Sequence, residues 1–423
     1  MQDLSRLEHL CALKQQLDTS SHETPSAKSL RALALTLNLI DAAHLKRIRC
    51  VGTGAFADVD MCSLVNNDFA TPTDSAAPLS TASSRVKRRA RGLTVPMPFR
   101  RSSEPTIDSA AGLRSGALRS LVVVKYAKAQ ETLEPFSLAP DERKAITLPA
   151  SVAINLHAEA VLLHSLRHDN IVSVLGVTEL EHPVSHKCVL GIVQEFLPGG
   201  TLLHRITAGK YSQHAALGWL VDIARALRFL HEGAGIGIPI AHRDIKPENV
   251  LIDEHGRAKL VDFGLFRFIH AAQPTGSAAK LLPVGVRALR AAITTGQTGS
   301  NRYMAPENFR NAEYTHKVDV FSFAVVAWEV LMRKRAYADL YLTADQVAEG
   351  VATRGLRPPL PLSWPRQQST LLAAMWAAEA SDRPELAFVL KALEELQEAA
   401  LAKAAKPPSL VTSAIARFRR SSA

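Results

Sequence analysis

The stretch IAHRDIKPENVLID, residues 240–253, sets an Arg, a Lys, two acids and an amide around His242, and an apolar run follows at once. Such a cluster is either a catalytic loop or an ordinary polar turn, and its surroundings along the chain decide between them.

The chain has 423 residues, 47% of them hydrophobic and 21% charged, which are ordinary globular proportions. This length allows two or three compact units, or one two-lobed domain with tails. No run of eighteen apolar residues occurs, and MQDLSRLEHL carries acids where a signal peptide carries basic and then apolar residues. The expectation is a soluble, cytoplasmic protein. Cys11, Cys50, Cys62 and Cys188 lack CxxC or CxxH spacing, so neither a zinc site nor a disulfide framework is indicated. The net charge of +10 is smaller than the twelve Lys and Arg found between Arg85 and Arg101 and after Glu398, stretches that contain no acid. The basicity therefore belongs to appendages and not to a nucleic-acid-binding face.

Working outward, residues 1–45 hold two Leu-rich stretches. Leu4, Leu7 and Cys11 fall near helical spacing, which predicts an N-terminal helical extension packed on the body, with partner binding as the alternative. LKRIRCVGTGAFADVDMCSLV reads as strand, turn and strand. Residues 67–117, rich in Ser, Ala, Pro and Arg, read as a disordered insertion. LRSLVVVKYAK is a strand by its β-branched run, and VAINLHAEAVLLHSLRH is a helix whose Leu156, Glu159, Leu163 and Leu166 share a face. A carboxylate among leucines needs a cation, and Lys125 in its apolar strand is the candidate. NIVSVLGVTEL and CVLGIVQEF are further strands. After LPGGTL the pattern turns helical, which gives an α+β protein with a β-rich N-lobe and an α-helical C-lobe.

GTGAFADV alone is weak, although Gly52 and Gly54 would let the backbone approach phosphate oxygens. A lone Asp in VDFG is an ordinary turn residue, and a lone Lys in a strand snorkels to water. In chain order, however, come this hairpin, VVVK, a helix with an inward Glu, HRDIKPEN, DFG and APE, the signature set of protein kinases. Over residues 46–398 the chain resembles a eukaryotic protein kinase.

The resemblance implies that Lys125 holds the ATP α- and β-phosphates and is fixed by Glu159, nine residues before His168. It makes Asp262 and Asn249 ligands of Mg²⁺, Asp244 the acceptor of the substrate hydroxyl's proton, and Lys246 the cation on the transferring phosphate. Adenine would lie against Val51, Val59, Val123 and Leu251, with backbone hydrogen bonds around Glu195 and Leu197 and Gln194 as gatekeeper. His242, Phe263, Leu163 and Val174 match the family's internal column and Asp319 its anchor, and all are equally well described as core.

Lys246 and GSNRYMAPE, with Ser300 where the family bridges the catalytic Asp and Lys by a hydroxyl, resemble Ser/Thr kinases. DVFSFAVVAWEVLMRKRAY, GLRPPLP and SDRPEL resemble the tyrosine-kinase-like group of mixed-lineage and Raf-type enzymes, in which Arg383 pairs with Glu307. Arg243 suggests control by an upstream kinase at Thr294, Thr295 or Thr298, beside a long activation-segment insertion at about 270–296. Ser103 in RRSSEP resembles a site for a phosphoserine adaptor, and VKRRAR is a solvated charge run or a nuclear signal. Ala57 replaces the third glycine of the loop, and Val123 replaces the usual Ala above adenine. Val123 and the insertions leave a pseudokinase scaffold, which binds partners without turnover, as the alternative. Residues 399–423 form a basic tail.

Overall fold

The computed structural model describes residues 2–19, 32–34, 36–53, 57–64, 121–128, 150–182, 188–269 and 300–405. Gly54, Ser103, Thr294, Thr295, Thr298, both insertions and the tail beyond 405 lie outside the described residues.

Helix α1 (Gln2–Thr19) precedes a sheet of β1 (Leu45–Thr53), β2 (Ala57–Leu64), β3 (Leu121–Ala127), β4 (Val174–Glu181) and β5 (Cys188–Glu195), with α2 (Ala150–Ser165) between β3 and β4. The strand order is β1-β2-β3-β5-β4 and every pairing is antiparallel. The Val-rich β3 sits centrally, where β-branched side chains pack on both faces of the pleat. Its register sets Lys125 opposite Val59 and Val123 opposite Gln194, so the residues that line the cleft side come from paired positions. Two irregularities in β1, at Arg47/Arg49 and Cys50/Gly52, twist the edge strand. The opposite edge is covered by the segment before β1: Ile40 donates to the Val177 carbonyl and Val177 to that of Asn38, each at 2.8 Å. Gly176 makes this closure possible, because a Cβ there would overlap the Asn38 carbonyl.

The C-lobe contains α3 (Leu202–Ala208) and α4 (Gln213–His231), then the short strands β6 (Ile240–Ala241), β7 (Val250–Ile252), β8 (Ala258–Leu260) and β9 (Arg267–Phe268). These form two small ladders, β6 with β9 and β7 with β8, which carry the loops of the site. Next come α5 (Lys317–Met332), α6 (Ala344–Arg354), α7 (Arg366–Met375) and α8 (Leu386–Ala405). Helix caps match the sequence: Thr201 and Ser212 accept backbone N–H groups at the starts of α3 and α4, and Thr343 with Gln346 forms a capping box on α6. Helix α5 is apolar over most of its circumference, and residues 317–330 are all buried, Lys317, Asp319, Ser322 and Glu329 among them. The architecture is the α+β, two-lobed arrangement expected.

Arg383 and Glu329 are two of the buried polar groups that hold the C-lobe. The guanidinium of Arg383 makes a bidentate pair with Glu307 at 2.6 and 2.8 Å, donates to the carbonyls of Ala377, Ala378 and Lys317, and stacks on Phe321. Glu329, fully buried on α5, accepts from the Ala336 backbone at 2.7 Å and the Tyr303 hydroxyl at 3.1 Å, with Arg335 at 3.7 Å. Burial pushes its carboxyl up to about 7. A carboxyl raised in the folded state contributes stability below its unfolded value of 4.5, and that contribution is lost as pH rises through about 7. Glu329→Gln should therefore melt above wild type at pH 8, by an amount on the order of 1–3 kcal/mol that closes toward pH 4.5. Thermal melts of both proteins across this range would check it, and a pH-independent difference would contradict it.

Candidate active site

Lys125 on β3 points under the sheet. Its Nζ lies 2.6 and 2.7 Å from the two carboxylate oxygens of Glu159 on α2, and 2.7 Å from Oδ1 of Asp262. Lys125 and Glu159 are buried, whereas the Asp262 side chain is about half exposed toward the cleft. Burial opposes the ammonium charge of Lys125, but the two carboxylates outweigh it and hold the group above its ordinary value. Burial would likewise raise Asp262, yet Lys125 draws it down to about 2, while burial pushes Glu159 up. Asp262 thus stays ionised at every physiological pH. It sits at φ 62°, in the left-handed region, a strained choice for a non-glycine residue that aims its carboxylate at Lys125. Phe263 ties the turn to α2 by donating its N–H to Glu159 Oε1 at 3.1 Å.

The loop after β6 is built around Asp319. This fully buried carboxylate accepts the backbone N–H groups of His242 and Arg243 at 2.8 Å each, and contacts His231 Nε2 at 3.0 Å. Burial favours the neutral acid, but these partners outweigh it and hold the group below its ordinary value. His242 is buried and its pKa lowered by that burial, so the ring is neutral. Its Nδ1 faces the Asp244 N–H at 3.3 Å, which leaves Nε2–H to donate to the Val261 carbonyl at 3.2 Å. Asp244 receives Lys246 Nζ at 2.6 Å and Asn249 Nδ2 at 2.8 Å on Oδ2, and the Ser300 backbone N–H at 3.2 Å on Oδ1. Sequence reasoning assigned that last contact to the Ser300 hydroxyl; the peptide N–H makes it, because the segment closes on the loop through its main chain.

The column residues His242, Phe263, Leu163 and Val174 are all buried, and the His242 and Phe263 rings lie 4.5 Å apart. Val51, Gly52, Val59, Val123 and Leu251 are partly exposed, as residues lining a cleft between lobes must be. Gln194 and Leu197 are buried, and among the described residues no hydrogen-bond partner meets Gln194 Nε2. Glu195 is held by Lys259 Nζ at 2.7 Å and the Ser173 N–H at 2.7 Å. That tie, which fixes the strand linking the lobes, was not anticipated; a lysine inside the apolar strand AKL was its signal.

The donor set suits a hard cation. Asp262 offers carboxylate oxygens, and Asn249 spends its N–H groups on Asp244, leaving the amide oxygen for a metal. Lys125 supplies a point charge for phosphate beside them.

A family model described as the protein kinase domain matches residues 141–393, more than half of the chain. The chain belongs to the protein kinase family. The match begins past the Gly-rich hairpin and Lys125, and the sheet is what joins these to the rest of the kinase. Serine/threonine-protein kinase STY46 of Arabidopsis thaliana is 32% identical over 241 residues, covering 56% of this chain and 36% of the relative. Mitogen-activated protein kinase kinase kinase 10 of Homo sapiens is 32% identical over 261 residues, 60% of this chain and 24% of the relative. Serine/threonine-protein kinase VIK of Arabidopsis thaliana is 34% identical over 249 residues, 57% of this chain and 50% of the relative. The chain thus spans about a quarter to a half of the length of these curated relatives. Their kind agrees with the tyrosine-kinase-like reading of the C-lobe motifs. Among the described residues no helix is long and apolar enough to cross a membrane.

Proposed function

We propose that this kinase transfers the γ-phosphoryl group of ATP, with Mg²⁺, to Ser or Thr hydroxyls of proteins. The observation that carries this reading is the joint geometry of two clusters, Lys125–Glu159–Asp262 and Asp244–Lys246–Asn249, each formed within hydrogen-bond distance. Mg²⁺ held by Asp262 and Asn249 would neutralise charge on the phosphates. Lys125, fixed by Glu159, orients the α- and β-phosphates. The substrate oxygen attacks the γ-phosphorus as the bond to the ADP oxygen breaks; Asp244 takes the hydroxyl proton, and Lys246 offsets negative charge on the transferred group.

Arg243 and Arg267 both lie over the ring of Tyr314, at 5.0 and 6.0 Å, where a phosphate on the activation segment would find two cations. This supports control by phosphorylation at Thr294, Thr295 or Thr298.

Phosphoamino-acid analysis of a generic basic protein labelled from ATP tests the proposal. Label on Ser or Thr that disappears with EDTA and returns with Mg²⁺ is expected. Label on Tyr alone, or transfer indifferent to EDTA, would contradict it.

A further inference from the structure

Helix α2 carries Glu159 and is buried almost without interruption from Ala158 to Leu163, on every side of its axis. The sheet covers one side, through β3, β4 and β5. A helix apolar all round needs cover on its other side as well, and α1 supplies it. Leu7, Leu10 and Cys11 are buried in the cluster that also holds Leu156, Leu162 and Leu163. One turn further on, Lys14 Nζ donates to Asn155 Oδ1 at 3.0 Å and stands 5.5 Å over the ring of Phe266. Asn155 lies four residues before Glu159 and so on the same face of α2, and Phe266 donates its N–H to the Phe263 carbonyl in the turn that holds Asp262. At its other end α1 touches the C-lobe, where Leu4 packs so closely on the loop after α4 that a Cβ on Gly235 would lie 2.9 Å from it.

We propose that α1 is a positioning element for phosphoryl transfer: it clamps α2 from behind, and Lys14 ties the turn before Glu159 to the segment that follows Asp262. This rests on the kinase reading above. Without α1 the uncovered face of α2 would reach water, and the helix would turn or slide to bury it. Glu159 would then leave Lys125, although the sheet and the C-lobe core stay intact. Lys14 acts through Asn155 and Phe266 and touches no reacting atom. The N-terminal extension thus sets how much of the kinase is competent, and whatever removes it from α2 lowers activity.

Leu10→Asp and Lys14→Met in the full chain test this, read in two ways. The first is kcat at saturating ATP beside the KM for the protein substrate. The second is hydrogen–deuterium exchange of the peptides covering residues 150–165. Lys14→Met removes the cation without opening an apolar core, and circular dichroism of both variants monitors the fold. Expected for Leu10→Asp is a fall in kcat on the order of 10–100-fold, as for a misplaced catalytic group, with substrate KM little changed and faster exchange in α2. Lys14→Met should move both readouts in the same direction and less. Wild-type kcat and wild-type exchange in both folded variants would overturn the proposal while leaving the kinase reading in place. Should wild type transfer no phosphate, the kinase reading falls by itself, and exchange in α2 alone decides whether α1 holds that helix.

Discussion

Asp244→Asn is expected to lower kcat by about 10²–10⁴-fold while leaving the fold and ATP affinity nearly unchanged. The side chain it replaces is the only carboxylate bonded to both Lys246 and Asn249 among the described residues, so no neighbour there can take over the proton. Asparagine keeps one oxygen to receive Lys246 or the Ser300 N–H, which preserves the loop. Among the described residues the other cluster, Lys125–Glu159–Asp262, shares no hydrogen bond with Asp244, so nucleotide binding should survive. Steady-state rates at saturating ATP, beside a direct measurement of ATP binding, check this. A loss of binding equal to the loss of rate would mean that Asp244 serves architecture instead.

The second large effect concerns stability. Arg383→Met should destabilise the C-lobe by about 3–5 kcal/mol, because it strands Glu307 and three carbonyls that the buried guanidinium satisfies. For a protein of this size that is a fall in Tm on the order of 10 °C. Arg225→Ala is the control, since its pair with Glu394 is exposed at 48% and 40% and should contribute less than about 1 kcal/mol. Equal melting shifts in the two variants would contradict the distinction between a buried and a solvated pair.

Much of this molecule was legible in its sequence. Lys125 and Glu159 could be paired on paper because each is a charge in apolar surroundings, and burial forces such charges together. The burial of the helix of residues 317–332 is legible in its mostly apolar surface. Other features were beyond local reading. The spacing of Leu4, Leu7 and Cys11 suggests one helical face, but Leu4 is 43% exposed while Leu10 and Lys14 complete the buried face. Which surface α1 covers depends on the path of the whole chain before β1, and periodicity says nothing of it. The Lys259–Glu195 tie joins residues 64 apart in sequence, and the edge closure at Gly176 depends on a backbone carbonyl that any residue could supply. Glu329 differs, since a carboxylate within AVVAWEVLM could have been flagged by the reasoning applied to Glu159. Its two hydrogen-bond donors could not, as they are a backbone N–H and a distant tyrosine, although the nearby cation Arg335 could have been.

The central claim is that the Lys125–Glu159–Asp262 cluster serves phosphoryl transfer and not merely the fold. The most direct measurement is incorporation of labelled phosphate from ATP and Mg²⁺ into a generic basic protein by wild type and by Lys125→Met, both verified as folded. The account predicts incorporation by wild type and a loss to background in the variant. Equal incorporation by the two proteins, or none by folded wild type even after phosphorylation of its activation segment, would contradict it, and the second result would leave a scaffold that keeps the kinase fold without turnover.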